Sequence, residues 1–219
     1  MKIHEIFFSI QGESSHAGVP CAFVRLTGCN LRCSYCDTRH AYEEGDEMTA
    51  EQVIERVGRF RAPLVEVTGG EPLLQPETPA LVMALADRCY KVLIETNGSL
   101  PLKGIDERAT VIMDLKCPGS GMSEHMLWEN LDALRPHDEI KFVLTDRYDY
   151  DWALDIIKTH RLSERHVVHL SPAYGMLEPA ELAAWMLEPL TDEALARGLN
   201  VRFQLQLHKY IWPGVERGV

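Results

Sequence analysis

The alternation of short β-branched runs with helical segments is the feature that most restricts the fold of this chain. Strands are predicted at 3–9, 22–27, 64–67, 91–94, 110–114, 140–144, 166–170 and 201–207. Helices are predicted near 50–60, 77–88, 123–133, 149–160, 179–188 and 191–198. Strands joined by helical crossovers form parallel sheets with covered faces. The pattern therefore predicts an α/β protein, and the length of 219 residues fits a single domain over 1–219.

Polar residues follow the ends of several predicted strands, which bears on how the sheet is arranged. They are Thr68, Glu95 with Asn97, residues 114–116, and Ser171. In a barrel, the carboxyl ends of the strands converge on one site. We therefore favour a closed or partly closed α/β barrel over an open doubly wound sheet, and we expect the site at this end.

The helix near residue 50 has a defined start. Thr49 followed by Gln52 forms a capping box, in which each side chain satisfies a backbone N–H of the other residue. Val53, Ile54 and Val57 then recur at helical spacing. A helix beginning at residue 50 is therefore expected to pack this face against the sheet.

The net charge of −11 limits the classes of partner. A protein that grips nucleic acid needs a broad basic surface, because phosphate neutralisation dominates such binding. No run approaches the roughly 18 apolar residues of a membrane helix, and the amino terminus does not read as a signal peptide. We expect a cytoplasmic protein without nucleic-acid or membrane partners, whose six cysteines form no disulfides.

Three cysteines crowd into eight residues with the spacing C-x3-C-x2-C, at Cys29, Cys33 and Cys36. Soft thiolates select zinc, copper(I) or iron–sulfur clusters. A four-iron cluster ordinarily takes four cysteines, so three would leave one iron open to a small chelating molecule. The alternative is a Cys3His zinc site with His40 as the fourth ligand. The other cysteines, Cys21, Cys89 and Cys117, are expected to be small buried hydrophobic residues.

The cysteine motif, after a strand that ends in Thr27 and Gly28, resembles the signature of the radical S-adenosylmethionine superfamily. The run from Thr68 to Pro72, Thr-Gly-Gly-Glu-Pro, is similar to the superfamily segment that binds the methionine amino group of the cofactor. Glycines allow a close approach of backbone to ligand, and we expect Glu71 to pair with an ammonium group.

Four further segments resemble one family within this superfamily, the 7-carboxy-7-deazaguanine synthases. These segments are residues 5–13, 36–38, 114–116 and 208–213. The resemblance implies a partial (β/α) barrel and a homodimer. It also implies a lyase of queuosine and deazapurine biosynthesis that contracts the ring of 6-carboxy-5,6,7,8-tetrahydropterin with loss of ammonia. It assigns no role to the six residues after Pro213.

The same resemblance implies a role for each matching position. The ligands of a four-iron, four-sulfur cluster are Cys29, Cys33 and Cys36, and the ligand of Mg2+ is Thr38. The residues around S-adenosyl-L-methionine are Tyr35, Gly70, Asp114, Leu115, Lys116, Ser171, Pro172, Ala173 and Tyr174. The residues that contact the pterin are Ile10, Gln11, Gly12, Glu13, Arg25, Thr68 and His208. Arg25 and Thr38 join the three cysteines as catalytic residues.

Some assignments leave alternatives open. Arg25 is either half of a buried ion pair or an anchor for the substrate carboxylate, which a guanidinium binds bidentately. The resemblance implies an electron donor such as flavodoxin or ferredoxin. An activase that installs a glycyl radical on a partner protein, or a zinc-binding interaction module, would account for the cysteine motif differently.

Overall fold

The computed structural model describes residues 1–188, 200–215 and 217–219. Its strands are β1 (Lys2–Ile10), β2 (Pro20–Leu26), β3 (Asp46–Glu47), β4 (Leu64–Gly69), β5 (Lys91–Thr96), β6 (Thr110–Asp114), β7 (Glu139–Leu144), β8 (Val167–Pro172) and β9 (Val201–Phe203). Its α-helices are α1 (Ala50–Gly58), α2 (Thr78–Ala86), α3 (Asn130–Ala133), α4 (Arg147–Thr159), α5 (Pro179–Leu187) and α6 (Leu207–Ile211). Among the described residues, every helix is too short or too polar to cross a membrane.

All nine strands belong to one sheet, in the order β3-β1-β2-β4-β5-β6-β7-β8-β9. From β2 to β9 each neighbouring pair is parallel, as the alternation of strands and helices predicts. The prediction of parallel strands is wrong for β1, which runs antiparallel to both β2 and β3. The short β3 strand carries no signal in the sequence, since it holds only two residues.

The two ends of the sheet approach each other through the residues that follow β1 and β9. The backbone N–H of Ser14 donates to Gln204 Oε1 at 2.6 Å, and Gln204 Nε2 donates back to the Ser14 carbonyl at 2.9 Å. The N–H of Leu207 donates to the carbonyl of Gly12 at 3.0 Å. The sheet therefore curves into a partial barrel, in which residues 11–15 bridge the gap between the two edges.

The curved sheet has two chemically different faces. The outer face carries Val24, Val67, Ile94 and Phe142, which pack with the helices into the main hydrophobic core. The inner face holds a small apolar cluster of Phe7, Cys21, Phe23, Leu64, Leu93 and Ile112. Charged and polar residues occupy the remaining inner positions of the same strands. The helical side therefore supplies most of the apolar burial and leaves the barrel interior available for a polar site.

The observed helices confirm one of the sequence predictions and contradict another. The capping box is confirmed, because Thr49 accepts from the Gln52 N–H and the Gln52 side chain accepts from the Thr49 N–H. The predicted helix over 123–133 is wrong. That segment holds a single 3-10 turn at Ser123–His125 and the four-residue α3. The buried Asn130 amide donates to the carbonyls of Gly98 and Leu100, which fixes the segment against the loop after β5.

The last predicted elements differ from the structure as well. The strand predicted over 201–207 ends at Phe203, since Gln204 turns inward to bond Ser14 and α6 begins at Leu207. The helix predicted over 191–198 lies outside the described residues.

The helical core generates a prediction about stability. Leu81→Ala on α2 removes a side chain that is fully buried in the main core. We expect a loss of about 2–5 kcal/mol in the free energy of unfolding, measured by chemical denaturation, because the substitution leaves a cavity. Met83→Ala on the same helix is the control. This side chain is 50% exposed, so a change within about 0.5 kcal/mol is expected. Equal losses in both variants would contradict the assigned packing.

Candidate active site

The cysteine motif lies in the loop that follows β2. Cys29, Cys33 and Cys36 are half-buried free thiols, and all three line the same cavity. Backbone hydrogen bonds hold the loop at two points: the N–H of Gly28 donates to Ala41 O at 2.9 Å, and the N–H of Ser34, between the second and third cysteines, donates to Ser120 O at 3.0 Å. The three thiols therefore face one cavity from a loop that the backbone holds in place.

The three sulfur atoms are spread too widely for a single zinc ion. They do not all lie within 4.8 Å of one another, whereas the ligand atoms of His4, Glu5 and His40 do. Tetrahedral zinc, with bonds of about 2.3 Å to sulfur, requires sulfur atoms roughly 3.8 Å apart. His40 Nε2 lies 3.8 Å from Glu5 Oε1, so this histidine is placed with Glu5. The arrangement disfavours the Cys3His alternative.

Two glycines, Gly69 at the end of β4 and Gly70 after it, allow the backbone to pass directly beneath the cysteine loop. A Cβ on Gly70 would lie 2.0 Å from the carbonyl oxygen of Gly28, and one on Gly69 would lie 2.6 Å from that of Leu26. The close approach lets the Glu71 N–H donate to Gly28 O at 2.7 Å. These contacts join the two motifs that the sequence singles out.

Glu71 does not have the role expected for it. Its buried carboxylate accepts hydrogen bonds from the N–H of Leu73, the hydroxyl of Thr96 and the N–H of Asn97, at 2.7–2.9 Å. It does not line the cavity. Burial raises the pKa of this carboxyl to about 7, although the three hydrogen bonds oppose the shift. Glu71 therefore holds the turns after β4 and β5 together, and the expected pairing with an ammonium group is wrong.

The motifs surround a cavity of about 240 Å³ at the carboxyl ends of the strands. Its wall includes Thr68 near the end of β4, Gly70 after β4, Asn97 after β5, and Lys116 after β6. Most of the polar residues expected at the strand ends therefore meet at one site, and Ser171 is the exception.

The floor of the cavity is a network of buried charges around Lys141. The Lys141 ammonium contacts Glu13 Oε2 at 2.6 Å, contacts Glu95 directly, and lies 3.5 Å from Asp114 Oδ2. Burial alone would lower the pKa of this lysine, but the surrounding carboxylates raise it well above the ordinary value. Lys116 pairs with the same Asp114 oxygen at 2.7 Å. Both lysines are therefore held in the charged form.

The floor of the cavity also contains a carboxyl group with a shifted pKa, that of Glu66. Glu66 on β4 is buried and accepts a hydrogen bond from the side-chain amide of Gln11. Burial, with a further contribution from the nearby Glu95, raises the pKa of Glu66 well above its ordinary value. The carboxyl group of Glu66 therefore lies in the cavity floor beside Glu95 and Glu13.

The mouth of the cavity is closed on one side by contacts between the cysteine loop and α6. Asp37 Oδ2 pairs with Lys209 Nζ at 2.7 Å and lies 3.9 Å from His208 Nε2. Although burial opposes the shift, the nearby His208 and the charge of Lys209 hold the pKa of Asp37 well below its usual range. Thr38 donates its hydroxyl to Asp37 Oδ1 at 2.8 Å. An ionised carboxylate therefore lies next to Thr38.

Comparison with known proteins identifies the family. Residues 23–168 match the model of the Radical SAM superfamily. A 7-carboxy-7-deazaguanine synthase of Chlorobaculum tepidum is 49% identical, with 100% of this chain and 97% of the relative covered. A synthase of the same name from Koribacter versatilis is 44% identical, with both chains fully covered. This chain belongs to the 7-carboxy-7-deazaguanine synthase family.

The fold of the family is also present in solved structures. The crystal structure of QueE from Escherichia coli superposes with a TM-score of 0.72 and 24% identity, covering 93% of this chain and 92% of that one. The match supports the partial barrel. The 7-carboxy-7-deazaguanine synthase relatives also decide against an activase or a zinc module.

The superfamily uses a four-iron, four-sulfur cluster and S-adenosylmethionine, and the residues present fit both groups. Three thiols at this spacing provide three iron ligands and leave one iron open. Two buried polar atoms of cavity-lining residues have no hydrogen-bond partner among the described residues: Tyr35 OH and Asp114 Oδ1. Buried polar groups are normally satisfied, so these atoms are suited to a polar ligand such as S-adenosylmethionine.

Most of the residues that the sequence predicts for the site line the cavity. They are Ile10, Gln11, Gly12, Glu13, Arg25, Cys29, Cys33, Tyr35, Cys36, Thr38, Thr68, Gly70, Asp114, Lys116, Ala173, Tyr174 and His208. Three others do not line it and are buried behind the wall: Leu115, Ser171 and Pro172. Leu115 packs in the outer hydrophobic core, so its side chain points away from the cavity.

Several cavity residues are absent from the prediction. They are Glu66, Lys141, Asp37, Gln206 and Lys209, whereas Glu95 lies in the cavity as expected for the polar residues after the predicted strands. A signal for two of them is present in the sequence, because Glu66 and Lys141 are the single charges inside the otherwise apolar predicted strands 64–67 and 140–144. Such charges must lie where they can be paired. Among the remaining cysteines, Cys21 and Cys117 are buried as expected, whereas Cys89 is exposed, with a positive φ of 64°.

The glycine contact beneath the cysteine loop gives a prediction about cluster assembly. Gly70→Ala would place a Cβ 2.0 Å from the Gly28 carbonyl, so the cysteine loop must move. We expect iron and acid-labile sulfide, measured after anaerobic reconstitution, to fall to less than half of the wild-type content. Gly58→Ala is the control, because a Cβ at that helical position meets only Tyr90 OH, at 3.7 Å. Full cluster content in Gly70→Ala would show that the approach is not needed.

Proposed function

We propose that this protein, acting as one domain over residues 1–219, converts 6-carboxy-5,6,7,8-tetrahydropterin into 7-carboxy-7-deazaguanine with loss of ammonia. It is a radical lyase of queuosine and deazapurine biosynthesis. The observation that carries the proposal is that three free thiols, several buried charges and Arg25 line one cavity at one end of the barrel. Full-length similarity to synthases of this name supports it.

The cofactor side of the cavity is assigned to residues around the cysteine loop. Cys29, Cys33 and Cys36 hold the cluster, and Asp114 and Lys116 face S-adenosylmethionine. When bound, the cluster and S-adenosylmethionine together supply a carbon radical that removes hydrogen from the substrate. The Tyr35 ring lies 5.7 Å from the Lys116 ammonium, so it contributes a cation–π contact to this region. Ala173 and Tyr174 form the wall after β8, with Ser171 and Pro172 supporting it from behind.

The substrate side is assigned to residues 10–13 and the interior of β2 and β4. Arg25 uses Nε to pair with Glu5 at 2.8 Å, and among the described residues its two terminal nitrogens have no hydrogen-bond partner. They are suited to bind the substrate carboxylate bidentately. Gln11, Glu13 and Thr68 offer hydrogen bonds to the pterin ring. The protein therefore orients the substrate by its carboxylate at one end and by its ring at the other.

Mg2+ belongs to the proposal through Thr38. A hydroxyl oxygen is a hard ligand of the kind that this ion prefers. The Thr38 hydroxyl lies 2.8 Å from Asp37 Oδ1, and this carboxylate adds negative charge next to the proposed ion. Thr38 and Asp37 would hold the ion near the carboxylate end of the substrate. There the ion would offset the negative charge of the carboxylates that Arg25 alone does not neutralise.

Two partners complete the proposal. The cluster needs a one-electron donor, for which flavodoxin or ferredoxin is suited. A second copy of the chain forms a homodimer. We place the enzyme in the cytoplasm, where thiols remain reduced and the six cysteines stay free. A test with a purified donor protein and a measurement of the molar mass in solution address these points separately.

The activity is tested by anaerobic turnover of 6-carboxy-5,6,7,8-tetrahydropterin with S-adenosylmethionine, Mg2+ and dithionite, read by mass spectrometry. We expect 7-carboxy-7-deazaguanine and ammonia in equal amounts. Cys29→Ala should abolish both the cluster absorbance and turnover, because it removes one of three iron ligands. Cys89→Ala, which alters an exposed thiol outside the cavity, should leave both unchanged. Product formed by Cys29→Ala at the wild-type rate would refute the proposed chemistry.

The anchor role of Arg25 gives a separate kinetic prediction. Arg25→Ala should raise the KM for the pterin roughly ten- to hundredfold, since a charge-assisted hydrogen-bond pair contributes about 1.5–3 kcal/mol. Iron content should stay at the wild-type level. Arg59→Ala, an exposed residue after α1 that pairs with Glu55, serves as the control and should leave KM unchanged. An unaltered KM in Arg25→Ala would remove this residue from the anchor role.

A further inference from the structure

Glu5 lies opposite Arg25 in the antiparallel pair of β1 and β2, and the two form a cross-strand ion pair. Their Cα atoms are register partners, and Arg25 Nε donates to Glu5 Oε1 at 2.8 Å. Each side chain is only 16% exposed. The pair follows a register shift in β1 between Ile3 and Glu5. Such shifts alter the direction in which side chains point. The shift gives Glu5 its position beside Arg25.

The contact fixes the orientation of the arginine. Glu5 accepts the hydrogen bond from Arg25 Nε. The Arg25 guanidinium lies over the Phe7 ring, with its carbon 5.6 Å from the ring centroid. A planar guanidinium held at one edge and on one face has little rotational freedom. Arg25 lines the cavity, and Glu5 does not. Glu5 therefore acts on the cavity through Arg25.

The second oxygen of Glu5 binds another part of the chain. The N–H of Gly218 donates to Glu5 Oε2 at 3.1 Å, so the two oxygens of one carboxylate have different partners. Val215 and Val219, on either side of this contact, both line the cavity. Residues 217–219 thus come to the cavity wall at the point where Glu5 holds them, on the same side of the site as Arg25.

We propose that Glu5 is a positioning residue that couples two parts of the substrate site. One oxygen holds Arg25 ready for the substrate carboxylate, and the other holds residues 217–219 against the cavity wall. This inference rests on the proposed function for the identity of the ligand. It assigns the end of the described chain a specificity role, because Val215 and Val219 close the cavity with apolar surface beside the carboxylate anchor.

The test is a double-mutant cycle on the holoenzyme with two readouts. Anaerobic calorimetry measures the Kd of 6-carboxy-5,6,7,8-tetrahydropterin with S-adenosylmethionine and Mg2+ present. Hydrogen–deuterium exchange measures protection of the peptide that contains Gly218. We expect Glu5→Gln to weaken binding about tenfold and to speed exchange in that peptide. Arg25→Gln should weaken binding while exchange in the peptide stays as in the wild type. The double variant should bind more weakly than Arg25→Gln by a smaller factor than Glu5→Gln alone weakens binding, because the part of the Glu5 effect that acts through Arg25 is already lost.

Two controls separate this mechanism from general damage. Glu43→Gln, an exposed carboxylate before β3, should change neither readout. A tetrahydropterin without the 6-carboxylate should bind the wild type and Arg25→Gln equally, since it offers Arg25 nothing to bind. Additive losses in the cycle, or unchanged exchange in Glu5→Gln, would overturn the proposal. If the wild type does not bind the carboxylated pterin, the proposed function fails, but the exchange comparison still tests whether Glu5 holds residues 217–219.

Discussion

The buried ammonium of Lys141 is the interaction on which the interior of this barrel depends. An unpaired charge inside a protein loses several kcal/mol of hydration. Here Glu13, Glu95 and Asp114 compensate for it, and they come from the segment after β1, from β5 and from β6. The network therefore joins four segments that are distant in sequence. Its members also line the cavity, so the groups that stabilise the lysine also form the polar surface that meets a ligand.

Because the sheet has two different faces, the protein can be stable although the interior of its barrel is charged. Successive strand residues point to opposite faces, so Val65 and Val67 pack among the helices while Glu66 and Thr68 face the cavity. The apolar outer face supplies the free energy that the polar inner face does not. Substitutions on one face are therefore expected to affect mainly stability, and those on the other mainly binding.

Much of the architecture follows from local signals. The capping box at Thr49 and the strands of the parallel sheet can be predicted from the sequence, because each depends on residues that are close together in the chain. The cysteine motif and the glycine run can be recognised because the spacing of their residues identifies them. Glu71 shows the limit of such reasoning. Its position in the motif suggests ligand contact, yet the structure directs its carboxylate to Thr96 and Asn97, which lie 25 and 26 residues further along the chain.

The residues missed in the site were missed for the same physical reason. Lys141 looks like an isolated charge in an apolar strand, and its partners become apparent only when β5, β6 and β7 are adjacent. Asp37 belongs to the cysteine motif, but its partner Lys209 lies on α6. Pairing across such separations depends on the topology of the sheet, which periodicity alone cannot specify.

The antiparallel β1 strand explains how one short segment serves both closure and binding. Because β1 runs opposite to β2, it ends at the amino-terminal side of the parallel strands, where Ile10 pairs with Pro20. The chain must then cross the open barrel, and Gln11 and Glu13 meet Glu66 and Lys141 on the way. A parallel first strand would end at the opposite side, beside the cysteine loop. The direction of β1 therefore makes residues 11–13 both the bridge across the gap in the sheet and part of the lining of the cavity.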